Sequence, residues 1–182
     1  FTAVLKWWSE QNPLGRNIYA GMYTSKVADG SSSAWKPDQI RRQIEAQRAQ
    51  PGTQGHVHYS GKPLLTNRGG LATELQNGLY KGAALPPATP WLDANGKPPE
   101  APAVEVGQLT RTGGRVVNWT PQGDEAATQW AVYTKRAGEW ELTVVPGNRR
   151  FAAVPGDVEA VAVAAVDRAG VESTRTELKL AP

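Results

Sequence analysis

Between positions 86 and 102 the chain carries six prolines, at 86, 87, 90, 98, 99 and 102. Each fixes its own φ and removes a backbone donor, so neither a regular helix nor a central strand can run through such a stretch. The polypeptide is therefore expected to fold as two separate parts, residues 1–98 with the Pro-rich linker and residues 99–182. The length of 182 residues suits two small domains.

The two parts differ in texture. In the first, Asn17 to Tyr23 alternates Ile18, Ala20 and Met22 with Tyr19, Gly21 and Tyr23, the pattern of a strand. A loop of Gly and Ser follows from Asp29 to Ser33. Pro37 then supplies the φ of a first helical position and Asp38 a negative charge in the first turn, which predicts a helix over Asp38 to Ala49. Its apolar stripe is narrow, only Ile40 and Ile44. Pro51 and Gly52 stop it, and Gly55 to Ser60 reads as a second short strand with His56, His58 and Ser60 on one face. Leu71, Leu75 and Leu79 recur at helical spacing, predicting a helix to about Leu85, before Pro86. Strand, helix, strand, helix is the order of parallel α/β units. The opening residues, Phe1 to Trp8, are apolar at once and read as the interior of an element, with more of the protein expected upstream.

Beyond residue 103 come short alternating runs: 104–110, 115–119, 129–135, 139–145, 149–154, 158–167 and 174–180. Gly113-Gly114, Pro146-Gly147 and Pro155-Gly156 fall where strands should end. Seven strands at this spacing predict an all-β sandwich.

Charge and sulfur narrow the function classes. Residues 1–98 hold 11 Lys/Arg and 6 Asp/Glu, and residues 99–182 hold 9 and 11, which sums to the net +3 of the chain. Without a basic run or patch there is no footprint for a phosphate backbone, so nucleic acid is not an expected partner. Cysteine is absent, which removes disulfides and thiolate metal sites. No apolar stretch approaches the roughly 20 residues of a bilayer span, and no signal-peptide pattern opens the chain.

Several residues together resemble a known family. Arg16, Ile18, Tyr19, Gly21 and Tyr23, then Gln43 and Arg48, then Gly55, Val57, His58, Tyr59 and Ser60, and finally Ala84-Leu85-Pro86 with Pro90-Trp91, resemble the end of the glycosyl hydrolase-like 10 family. The resemblance implies the last two βα units of a (β/α)8 barrel, an envelope or secreted location, and glycosidase-like action on a polysaccharide, such as the glycan strands of peptidoglycan. The remainder of the barrel would lie upstream. The second half resembles fibronectin type III domains through Trp119, Ala131-Val132-Tyr133 and the run Val163 to Ser173. Glu159 stands where that family often has tyrosine.

Barrel enzymes place chemistry at the C-terminal ends of strands. On that frame Ile18, Ala20, Met22 and Val57 are expected to face the helices, leaving Tyr19, Tyr23, His58 and Ser60 directed to the barrel axis. These four are candidate sugar contacts, or polar filling of the barrel core. Trp35 is either a stacking platform for a pyranose or a staple packed on the helix start. His56 and His58, two apart, could share a metal, but no third ligand is near, so no metal is assigned. No cofactor is expected, since neither a phosphate loop nor a nucleotide-binding glycine motif is present; a Gly-x-Ser-x-Gly elbow is also missing.

Glycosidases work through two carboxylates flanking the scissile bond. Of Glu10, Asp29, Asp38, Glu45, Glu74 and Asp93, only Asp29 falls in a loop after a predicted barrel strand, which makes it a candidate substrate contact. The main acid and nucleophile are expected upstream, leaving this chain inactive alone. Three readings follow: part of a glycoside hydrolase, a non-catalytic carbohydrate-binding or scaffold protein, or a sandwich with a binding surface of its own built on Trp130 or Trp140.

Overall fold

The computed structural model describes residues 1–93, 97–109, 111, 113–124 and 126–180. It is mixed α/β with much of its regular structure in sheets, and the backbone divides into Phe1–Lys81 and Gly82–Pro182.

The first unit opens with helix α1 (Thr2–Glu10), followed by strand β1 (Tyr19–Met22), a 3₁₀ turn (Thr24–Lys26), helix α2 (Pro37–Ala49), strand β2 (Gly55–His58) and the short helices α3 (Lys62–Leu65) and α4 (Leu71–Asn77). β1 and β2 pair in parallel, Tyr19 opposite Gly55 and Met22 opposite His58. The pairing continues past both strands, where Tyr59 N donates to Met22 O at 2.9 Å and Ser25 N to Tyr59 O at 2.9 Å.

Opposed residues of a parallel pair share a face. Ala20, Met22, His56 and His58 therefore point one way, toward the helices, and Tyr19, Gly21 and Val57 the other. On the helical side Met22, Val27, Ile40, Ile44, Leu71 and Leu75 form one core. Burying a side chain of this size contributes about 1.5–3 kcal/mol. The buried stripe of α2 is wider than its apolar residues suggest, because Gln43 and Gln47 are buried beside Ile40 and Ile44.

Helix α4 ends at Asn77, not near Leu85. Gly78 takes φ −119° and ψ −106°, outside the helical region, and Tyr80 N returns to Leu75 O at 2.7 Å. That early stop turns Tyr80 back toward β2.

The second unit holds, among its described residues, β3 (Ala103–Leu109), β4 (Arg115–Thr120), β5 (Gln129–Arg136), β6 (Glu139–Pro146), β7 (Phe151–Val154), β8 (Ala160–Val166) and β9 (Thr176–Lys179). Thr110, expected to end the first of these strands, lies outside the described residues. The sheets run β3-β4-β7 and β6-β5-β8-β9, antiparallel throughout. Val117, Trp119 and Val154 from the first sheet meet Trp130, Val132, Val161 and Val163 from the second in a common core. Trp119 and Trp130 are in contact at 6.0 Å, and Trp130 Nε1 donates to Gly147 O at 3.1 Å. Trp140 lies on the outer side, half exposed under Lys135.

Part of the Pro-rich segment is more than a spacer. Pro90–Leu92 forms a 3₁₀ turn, and Thr89 donates to Ala169 O through its amide at 2.7 Å and its hydroxyl at 3.1 Å. Leu85 packs on Ala131, Tyr133, Ala162, Ala164 and Val166. Gly170, at φ +77°, leaves room for the strap, since a Cβ there would sit 3.3 Å from Ala88 Cα. Residues 85–89 thus belong physically to the sandwich, and the two units meet at Lys81 and Gly82, not at residues 98 and 99.

Candidate functional site

The C-terminal ends of β1 and β2 carry exposed rings. Tyr23 follows Met22 and Tyr59 follows His58, so alternation directs both away from the helices, and they are 54% and 69% exposed. Their rings lie 6.0 Å apart, tilted by 37°. Trp35 meets Tyr23 edge to face at 6.2 Å. It is brought there by a bridge to Val27 and by its own amide, which donates to Lys26 O at 2.9 Å. Trp35 also packs on the core that holds Met22 and Ile40. Three aromatic side chains thus make a shelf at the strand ends. Tyr19 lies on the same face lower down, its ring over Gly55, where a Cβ would come within 2.9 Å.

The loop after the 3₁₀ turn is fixed by Asp29. One carboxylate oxygen accepts from Ser31 N at 3.0 Å and Ser31 Oγ at 2.7 Å, the other from Lys26 Nζ at 3.0 Å. The Ser31 hydrogen bonds, with Lys26 adding to them, hold the Asp29 carboxyl down to about 2. It is ionised at any ordinary pH, and both oxygens are engaged, so it serves as a loop clamp and not as a proton donor.

His58 does not face the shelf. The expected orientation put Val57 against the helices and His58 toward the axis, but the register reverses this: Val57 is exposed and His58 lies against the helical layer. The aliphatic side chain is outside because the inner position is filled by a polar network. His58 Nδ1 is 2.7 Å from Thr24 Oγ1 and Nε2 is 2.8 Å from Tyr80 Oη. His56 contacts the same Tyr80 hydroxyl through Nε2 and Gln47 Oε1 through Nδ1 at 3.1 Å. With every ring nitrogen engaged, neither histidine is poised for metal, and among the described residues there is no group of three metal-binding side chains.

Ser60 fastens the strand ends, its amide donating to Ser25 Oγ at 2.9 Å and its own hydroxyl lying 3.2 Å from the same oxygen. Of the expected contacts, Tyr23 and Trp35 come together, Tyr19 shares their face, and His58, Ser60 and Asp29 hold the surrounding frame. Tyr59 completes the shelf unforeseen, although it follows from the alternation that places Tyr23.

At the edge of β1 a pocket of about 510 Å³ is lined by Phe1, Val4, Trp8, Tyr19 and neighbours. Val4 and Trp8 form an exposed stripe on α1 in which only Leu5 is buried.

No protein-family model matches the chain. Over 97 residues, 51% of its length, the chain is 31% identical to the glycosyl hydrolase YngK of Bacillus subtilis, of which it spans 19%. Among solved structures, a fibronectin type III domain of human collagen XX is 23% identical with a TM-score of 0.36, covering 54% of this chain and 100% of that domain. The spore cortex lytic enzyme SleM of Clostridium perfringens is 12% identical with a TM-score of 0.41, covering 100% of this chain and 76% of that one.

Proposed function

We propose that Phe1–Lys81 is the closing edge of a glycoside-hydrolase-like (β/α) barrel and that Tyr23, Trp35 and Tyr59 form a platform for a sugar ring of a polysaccharide. The observation that carries the reading is the shelf itself: three rings at the C-terminal ends of two adjacent parallel strands, where barrel enzymes hold their substrates. The 31% identity with a bacterial glycosyl hydrolase supports the same class. The unpaired edge of β1 and the uncovered stripe of α1 suit a barrel whose remaining strands come from elsewhere in the protein. The glycosyl hydrolase-like 10 family and peptidoglycan glycan strands are the finer assignment, with an envelope or secreted location. Gly82–Pro182 is then a fibronectin type III-like spacer.

This chain is proposed to bind glycan without cleaving it. Asp29 is the carboxylate nearest to the role in sequence, and the Ser31 and Lys26 hydrogen bonds that keep it ionised do not suit it to be the acid of a two-carboxylate mechanism. Among the described residues no helix is long and apolar enough to cross a membrane.

The test is equilibrium binding of the chain to soluble peptidoglycan glycan strands. Removing one stacking ring is worth about 1 kcal/mol, so Tyr23→Ala and Tyr59→Ala should each weaken binding about fivefold to tenfold. Trp35→Phe, which keeps core packing, should weaken it less than either. Unchanged affinity in all three variants would retire the platform, and release of reducing sugar by the chain would overturn binding without cleavage.

A further inference from the structure

Behind the shelf runs a polar chain whose hydrogens can be assigned from one end. Gln47 Nε2 donates to the carbonyl of Thr53 at 3.4 Å and to its hydroxyl at 3.2 Å, which turns Gln47 Oε1 toward His56. An amide oxygen can only accept, so His56 carries its proton on Nδ1 and its Nε2 is bare. Tyr80 must then donate to His56 Nε2, and its oxygen must accept from His58 Nε2–H. That leaves His58 Nδ1 bare, to accept from Thr24 Oγ1 at 2.7 Å. The two histidines are thus neutral and opposite tautomers, set by a single phenol.

Thr24 is fully buried and begins the 3₁₀ turn, which Tyr23 precedes and Lys26, the partner of Trp35, ends. We propose that Tyr80 is a positioning residue for the aromatic shelf, holding it through His58 and Thr24, and that taking up a proton in this relay releases the shelf.

The surroundings admit no compensating charge. His56 and His58 rings lie 5.2 Å apart. Arg48, from α2, adds a positive charge near His56 and Tyr80 while bonding Leu79 O. The carboxylates of α2 and α4 are held elsewhere, Asp38 by Arg42 and both Glu45 and Glu74 by Arg41. Lys26 of the 3₁₀ turn is paired with Asp29. A proton on His56 Nε2 would aim two N–H groups at one phenol oxygen. Burial accordingly lowers the affinity of both rings for protons, with His56 near 4.

The inference rests on the shelf as the binding site, yet its test needs no sugar. The chain contains two histidines, so nitrogen-15 NMR reads each ring separately. Expected at neutral pH are an Nδ1–H signal for His56 and an Nε2–H signal for His58; matching tautomers would overturn the relay. In Thr24→Val and Tyr80→Phe the Tyr23–Trp35 ring contact should be lost while the methyl signals of Ile40, Ile44 and Leu71 persist. Preserved ring contact in both variants would overturn the positioning role, and Thr24→Val decides the matter if Tyr80→Phe disturbs the core. In the unaltered chain the contact should fade in step with histidine titration on acidification. A contact that survives full titration refutes the acid release. Failure to bind glycan strands, by contrast, would sink the proposed function and leave these results standing.

Discussion

At the scale of single residues, position in the pleat decides more than residue type. His58 and Tyr59 are neighbours, yet one is half-buried against the helices and the other is open to solvent. Hydropathy alone assigns Val57 to the covered face, and it fails because Gln47, Thr24 and Tyr80 make that face partly polar. None of these three is marked in the sequence as a partner of a histidine, since all lie between 9 and 34 positions from the ring they bond. The histidines also give a pH signature. His56 drops from 6.5 in the unfolded chain to about 4 when folded, mainly through burial, so the unfolded state binds more protons between those values. Stability of the first unit should be level above pH 6.5 and fall as pH drops toward 4, measured as the midpoint of urea unfolding. Asp29, lowered from 3.8 to about 2, acts in a separate window below it. A flat profile from pH 7 to pH 4 would contradict the burial of a neutral His56.

At the scale of elements, the regular pieces were largely legible. The period-2 pattern located β1 and β2, Pro37 and Asp38 marked the start of α2, and the paired turn residues fell at the breaks between β3 and β4, between β6 and β7 and between β7 and β8. What was not legible depended on contacts distant in sequence. Leucines at helical spacing carried the expected helix past Gly78, because periodicity records which side chains can share a face and not where the backbone turns. The Pro-rich segment was likewise expected to be linker from composition, whereas Leu85 and Thr89 anchor it to the sandwich. Comparing a polypeptide of residues 82–182 with one of residues 99–182 tests that anchor. Loss of Leu85 burial and the Thr89 bonds should lower unfolding free energy by about 2 kcal/mol. Equal stability would mean that the strap only rests on the sheet.

At the scale of the whole molecule, the two units solve the problem of burying apolar surface differently. The sandwich closes on itself, with Trp119 and Trp130 inside and both sheets contributing to one core. The α/β unit buries one face of a two-stranded sheet and leaves the other, with Tyr19, Tyr23, Val57 and Tyr59, exposed. An uncovered face of this kind is what the proposed reading rests on. The proposed reading gives it two occupants, the rest of a barrel along β1 and a sugar over the strand ends. Of the candidate residues, the placement of Tyr23 and Trp35 was legible from strand ends and loops, while the hydrogen bonds that tie Asp29 to Ser31 and His58 to Tyr80 were not.

The most direct test is to map, by amide and aromatic chemical shifts, where soluble glycan strands touch the labelled chain. The account predicts changes centred on Tyr23, Trp35 and Tyr59, with those of the sandwich unmoved. Changes confined to Gly82–Pro182, or none at saturating glycan, would contradict it.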